Sequence, residues 1–133
     1  MKIRVYGYPA PQGSKTAIVR NGRAIMFEAN KRLPEWRETC LMACSSAAKE
    51  HATPILGPVQ VELTFIMPRP KSTMRKYPNT APDLDKLIRG VGDSLQISEV
   101  LANDGQIVTI LAHKIYADVP GDCGVEIEIL PKL

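Results

Sequence analysis

Along the chain, apolar and polar positions alternate, then recur every three or four residues, then alternate again. In Met1–Tyr8, Ile3 and Val5 alternate with Lys2, Arg4 and Tyr6, the period of a half-buried strand. Thr16–Arg20 and Ala24–Phe27 flank Asn21-Gly22, a dipeptide that favours a two-residue hairpin turn. From Leu33 or Pro34 to His51, residues Leu33, Trp36, Cys40, Ala43, Cys44 and Ala47 form one helical stripe, with Pro34 tolerated in the first turn. A short connector over Thr53–Pro58 leads to Val59, Val61, Leu63, Phe65 and Met67, which alternate with Gln60, Glu62, Thr64 and Ile66 and predict a strand. Residues 69–81 are a long loop. After Pro82 the spacing of Leu84, Leu87, Ile88, Val91 and Leu95 predicts an amphipathic helix closing near Gln96, and Ile97–Ala102 a tight connector. Two strands end the chain. One covers 106–116, with Ile107, Thr109, Leu111, His113 and Ile115 on one face; the other sets Val125, Ile127 and Ile129 against Glu126 and Glu128.

The resulting order, β-β-β-α-β-α-β-β, predicts a single α+β domain. Two helices pack on a mostly antiparallel or mixed β-sheet, and the β-α-β stretch is where a parallel pair would arise. A length of 133 residues suits one domain with an ordinary hydrophobic core. No apolar run approaches 18 residues and no signal peptide opens the chain, so a soluble, cytoplasmic protein without a membrane partner is expected. Three cysteines without paired spacing argue against a disulfide framework, and Cys40 and Cys44 read as small core residues. A net charge of +3 is too mild to identify a partner by itself.

The candidate chemistry is concentrated at the second helix. Asp83 stands where an N-cap is expected, Asp85 lies in the first turn, and Asp104 follows in an Asn-Asp-Gly turn. On a regular helix, residues two apart diverge by roughly 200°, so Asp83 and Asp85 can converge only if Asp83 is still in the loop. Three carboxylates without His or Cys suit Mg²⁺, or Mn²⁺ in its place, rather than zinc. Each has an ordinary alternative: Asp83 a helix cap, Asp85 a partner for Arg89, Asp104 a turn residue. Their neighbourhood shifts the balance. A loop carrying Arg69, Lys71, Arg75 and Lys76 runs directly into the acidic cluster, and phosphate-gathering cations beside metal-binding carboxylates suit phosphodiester cleavage. Lys15 in a glycine-bent loop and Lys86 on the helix are further candidate DNA contacts, each with a solvated residue as its alternative.

Pro82-Asp83-Leu84-Asp85-Lys86-Leu87-Ile88-Arg89, Asp93-Ser94-Leu95, and Asn103-Asp104-Gly105-Gln106-Ile107-Val108 with Lys114 resemble the RusA-type Holliday-junction resolvases of bacteria and their phages. Pro11-Gln12-Gly13-Ser14-Lys15 and Phe65-Ile66-Met67-Pro68-Arg69-Pro70 extend the resemblance over most of the chain. It implies that Asp83, Asp85 and Asp104 bind a catalytic magnesium. It also implies a homodimer, a four-way DNA junction as substrate, and a place in DNA recombination and repair. Where the family usually has a lysine near the scissile phosphate, this chain has Arg89, which keeps the charge. Asn103 stands where the family often has another aspartate.

The mechanism expected is metal-assisted hydrolysis, with Arg89 neutralising the phosphate and Asp93 a supporting partner on the same helix face. Two rivals share these residues. One is a non-catalytic DNA-binding protein in which the aspartates only cap and turn; the other is a metal-dependent nuclease acting on other branched DNA or on RNA.

Overall fold

The computed structural model describes residues 1–13 and 31–133 with their side chains, and the backbone of 15–20 and 23–28. Its elements are β1 (Lys2–Tyr6), β2 (Lys15–Arg20), β3 (Arg23–Glu28), α1 (Leu33–Glu50), β4 (Val59–Met67), α2 (Leu84–Ile97), β5 (Ile107–Tyr116) and β6 (Gly124–Pro131). This is the α+β order expected from the pattern. β2 and β3 pair as an antiparallel hairpin. Its Asn21-Gly22 turn and the side chains of Lys15, Arg20 and Arg23 lie outside the described residues.

The other strands form one mixed sheet in the order β1-β6-β4-β5. β6 runs antiparallel to both β1 and β4, while β4 and β5, joined through α2, are parallel. Alternation then sorts the residues. Ile3 and Val5 of β1, Val59 to Phe65 at odd positions of β4, and Val125, Ile127 and Ile129 of β6 enter a common core. Leu33, Trp36, Cys40, Cys44 and Ala47 of α1 close that core together with Leu87, Val91 and Leu95 of α2. Burying each large side chain in this way contributes about 1.5–3 kcal/mol. The opposite face is polar near β1 and β6, where Lys2 opposes Glu128 and Arg4 opposes Glu126 across the ladder.

Two details refine the sequence reading. A register shift between Val59 and Gln60 inserts an extra residue in β5, so Ile107 pairs with Val59 but Thr109 with Gln60. Beyond such a bulge the alternation changes phase. Ile107 therefore shares the helix-covered face with Ile110, Ala112 and Lys114, not with Leu111, His113 and Ile115 as the simple alternation predicts. The second detail is a close approach. Gly124 has φ +150, and a Cβ there would lie 1.8 Å from the Val5 carbonyl oxygen. Only glycine lets β6 start this near β1.

Cys40 and Cys44 are buried among apolar neighbours, and burial pushes the Cys44 thiol up to about 12 and that of Cys40 further still. Protonated thiols are poor metal ligands. His51 Nδ1 sits 2.9 Å from the Ala47 carbonyl, closing the end of its own helix.

Candidate active site

Asp83 is the N-cap residue of α2 with extended backbone (φ −69, ψ 139), and Asp85 lies in the first helical turn. This is the arrangement that convergence of the two carboxylates requires. Asp83 has the cap position without the cap bond: its side chain accepts none of the free N–H groups of the helix start. Its backbone carbonyl accepts from Leu87 N at 3.2 Å. Asp85 forms no ion pair with Arg89 among the described residues, where the charge pairs are Lys2–Glu128 and Arg4–Glu126. Asp83 thus starts the helix without a side-chain cap bond, and Asp85 lies in the first turn unpaired with Arg89 among the described residues.

Asp85, Arg89 and Asp93 are spaced four apart and rotate by only about 40° per step, so they form one stripe of α2, exposed at Asp85 and Arg89 and half-buried at Asp93. Arg89 and Asp93 line a groove shared with Asp104, Gln12, Ile88, Gly92, Ile107 and Ile110. Its volume of about 310 Å³ corresponds to roughly ten waters, room for a hydrated phosphate or ion. Leu87, Val91 and Leu95 on the other side of the helix are buried, which is why this stripe faces outward.

Asp104 is presented by a turn that is tied down from three directions. Asn103 Oδ1 accepts from Gly105 N at 2.7 Å, and Gln106 Oε1 accepts from Asn103 N at 2.9 Å, a reciprocal cap of the short helical turn 104–106. Gln96 Oε1, from the end of α2, accepts from Asp104 N at 2.9 Å. The Gln106 amide donates to the Ile55 and Gly57 carbonyls at 2.9 and 2.8 Å. Asn103, which departs from the family pattern, is thus the residue that caps this turn. It is a structural cap.

The groove gathers Asp104, Arg89 and Asp93; neither Asp83 nor Asp85 lines it. Among the described residues, no three of His, Cys, Asp and Glu are grouped so as to hold a metal ion. The chemistry of Asp83, Asp85 and Asp104 fits a hard cation, since all three offer exposed carboxylate oxygens. Their positions in this structure do not yet bring all three onto one ion.

Lys114 carries a role that the pattern along the chain does not reveal. On the helix-covered face of β5, its ammonium donates to the Thr80 and Pro82 carbonyls at 2.8 and 2.9 Å, fastening the chain immediately before Asp83. In the simple alternation Lys114 lies on the other face, and only the bulge in β5 turns it inward. Lys114→Met keeps the apolar stem and removes both bonds. It should lower stability by about 1.5–3 kcal/mol in urea unfolding, the range for hydrogen bonds to a charged group.

The basic loop carries bonds of its own. Arg69 donates from both terminal nitrogens to the Arg75 carbonyl at 3.1 and 3.2 Å, and its guanidinium lies 4.8 Å from the Tyr116 ring centroid. Thr73 N donates to the Pro70 carbonyl at 3.2 Å. Arg69 therefore anchors the loop, and it is exposed together with Lys71, Arg75 and Lys76. Lys86 is half-buried, and its carbonyl accepts from Gln12 N at 3.0 Å.

The family model described as Endodeoxyribonuclease RusA matches residues 7–130, nearly the whole chain. The chain belongs to the RusA endodeoxyribonuclease family. The chain is also similar to Uncharacterized protein YqaN of Bacillus subtilis (strain 168), 29% identical over 132 residues and covering 90% of each chain. The RusA match takes in both acidic motifs, the basic loop and the groove. Among the described residues, no helix is long and apolar enough to cross a membrane.

Proposed function

We propose that this protein is a Mg²⁺-dependent endonuclease that resolves four-way DNA junctions by phosphodiester hydrolysis, as a cytoplasmic homodimer serving recombination and repair. The observation that carries the reading is the groove beside α2 that gathers Arg89, Asp93 and Asp104, with Asp85 one turn before Arg89 on the helix, in a chain of the RusA family. Asp83, Asp85 and Asp104 are the proposed holders of the magnesium, for which Mn²⁺ would substitute. When bound, such an ion supplies an activated water and neutralises charge on the phosphate and leaving oxygen.

The protein's own groups do the rest. Arg89, one turn beyond Asp85, is placed to engage a phosphate oxygen entering the groove and to stabilise its growing negative charge. Lys114 holds the backbone just before Asp83, and the Asn103–Gln106 cap holds the turn carrying Asp104, so the backbone at both aspartates is tied by bonds within the protein. Lys71, Arg75 and Lys76, with Lys15 and Lys86 as further cations, would follow the DNA backbone beside the site. Homodimerisation has a physical rationale: two matched cuts across a symmetric junction call for two sites related by a two-fold axis.

Replacing Lys71, Arg75 and Lys76 together by Ala should reduce the slope of log binding constant against log salt by roughly 2–3, since each lost phosphate contact removes about 0.9. Binding measured across a salt series checks this, and an unchanged slope places the DNA elsewhere. Melting should barely move, because exposed loop charges contribute little to stability. The substrate assignment is tested by mobility shifts without metal: a labelled four-way junction should stay bound under excess linear duplex of the same sequence. Complete displacement by an equal mass of duplex would contradict junction selectivity.

A further inference from the structure

The loop after β1 reaches the groove at Gln12 and touches α2 twice. Its backbone N–H donates to the Lys86 carbonyl at 3.0 Å, which docks the loop on the helix. Its carboxamide nitrogen donates to Oδ2 of Asp93, 81 residues away in sequence. The carboxamide oxygen is buried and has no hydrogen-bond partner among the described residues. Reversing the amide would aim that oxygen at the Asp93 carboxylate, so the orientation follows from charge. A buried acceptor without a partner is a cost that folding alone gives no reason to keep.

The next residue adds a constraint. Gly13 has φ +96, and a Cβ there would stand 2.6 Å from Nη1 of Arg89. One short stretch of loop thus lies against both charged groups of α2 that line the groove.

We infer that Gln12 is a positioning residue for the cleavage proposed above, acting through Asp93. Its amide commits one oxygen of that carboxylate and leaves the other without a protein partner among the described residues. Asp93 is held as an oriented acceptor for groove water, alongside Arg89 and Asp104, instead of rotating toward Arg89 one turn away. No covalent step is assigned to Gln12. The inference rests on the groove being the reaction site.

A double-mutant cycle read by single-turnover cleavage of a saturating four-way junction tests it. Groups that orient a working ligand typically cost 10–100-fold when removed. Gln12→Ala should therefore slow cleavage by about tenfold or more, with the junction dissociation constant unchanged within about twofold. Asp93→Asn should be slowed too, and Gln12→Ala in that background should cost nothing further, because the two act as one unit. Gln12→Met, similar in length and without the amide, should match Gln12→Ala even if alanine loosens the loop. A parental rate in Gln12→Met, or losses that multiply in the double variant, would overturn the assignment and leave Gln12 a loop anchor. A parent protein that binds and cuts no branched DNA would remove this inference together with the proposed function; multiplying losses in an active parent remove this inference alone.

Discussion

Asp83→Asn is expected to abolish junction cleavage, by about 10³-fold or more, while junction binding stays intact or tightens. A carboxylate that helps hold a metal contributes several kcal/mol of transition-state stabilisation, and each 1.4 kcal/mol is a factor of ten. Binding moves the other way because the lost negative charge no longer repels phosphates. The structure makes this variant unusually clean. Asp83 occupies the N-cap of α2 without its side-chain oxygens accepting from the helix N–H groups, and Asn is as good a cap residue as Asp. Melting should therefore stay near parental, so lost turnover cannot be blamed on lost fold. If Asp83→Asn cuts at the parental rate, Asp83 only starts a helix, and the metal assignment fails at its first residue.

Arg89 is the second test, and here the competing roles differ by orders of magnitude. As a phosphate clamp, its removal should cost about 10²–10³ in single-turnover rate, near 3–4 kcal/mol. As a helix-surface partner of Asp85 or Asp93, it would contribute only about 0.3–0.5 kcal/mol to stability. No ion pair of Arg89 with either aspartate is made among the described residues, which favours the clamp. Arg89→Ala should therefore be slow and nearly as stable as the parent. Arg89→Lys should retain most activity if only charge matters, since lysine still offers a point charge to the phosphate. A near-parental rate for Arg89→Ala, with metal and junction saturating, would retire the clamp.

The elements were largely legible along the chain because local periodicity encodes them. The stripe Leu87, Val91, Leu95 and the inward set Val125, Ile127, Ile129 are buried as their spacing predicts. The placement of Asp83 in the loop and Asp85 in the helix also followed from backbone geometry alone. What escaped was set by distant partners. Nothing near Gln12 indicates Asp93, and nothing near Lys114 indicates the Thr80 and Pro82 carbonyls. The bulge opposite Val59 reverses the faces of β5 through a single extra residue, a change too small to disturb the average pattern. Arg69, a candidate DNA contact by the charge of its loop, also holds that loop through the Arg75 carbonyl and the Tyr116 ring. Asn103, a departure from the family pattern in sequence, caps the turn carrying Asp104.

The central claim is that this chain cuts branched DNA with a divalent ion held at the start of α2. The most direct measurement is cleavage of a labelled four-way junction and of matched linear duplex by the purified protein, across a Mg²⁺ titration from chelator alone upward. Paired nicks in the junction that appear only with Mg²⁺, with the duplex left intact, are the predicted result. Tight junction binding with no nicking at any Mg²⁺ or Mn²⁺ concentration would contradict the account and leave a DNA-binding protein in its place.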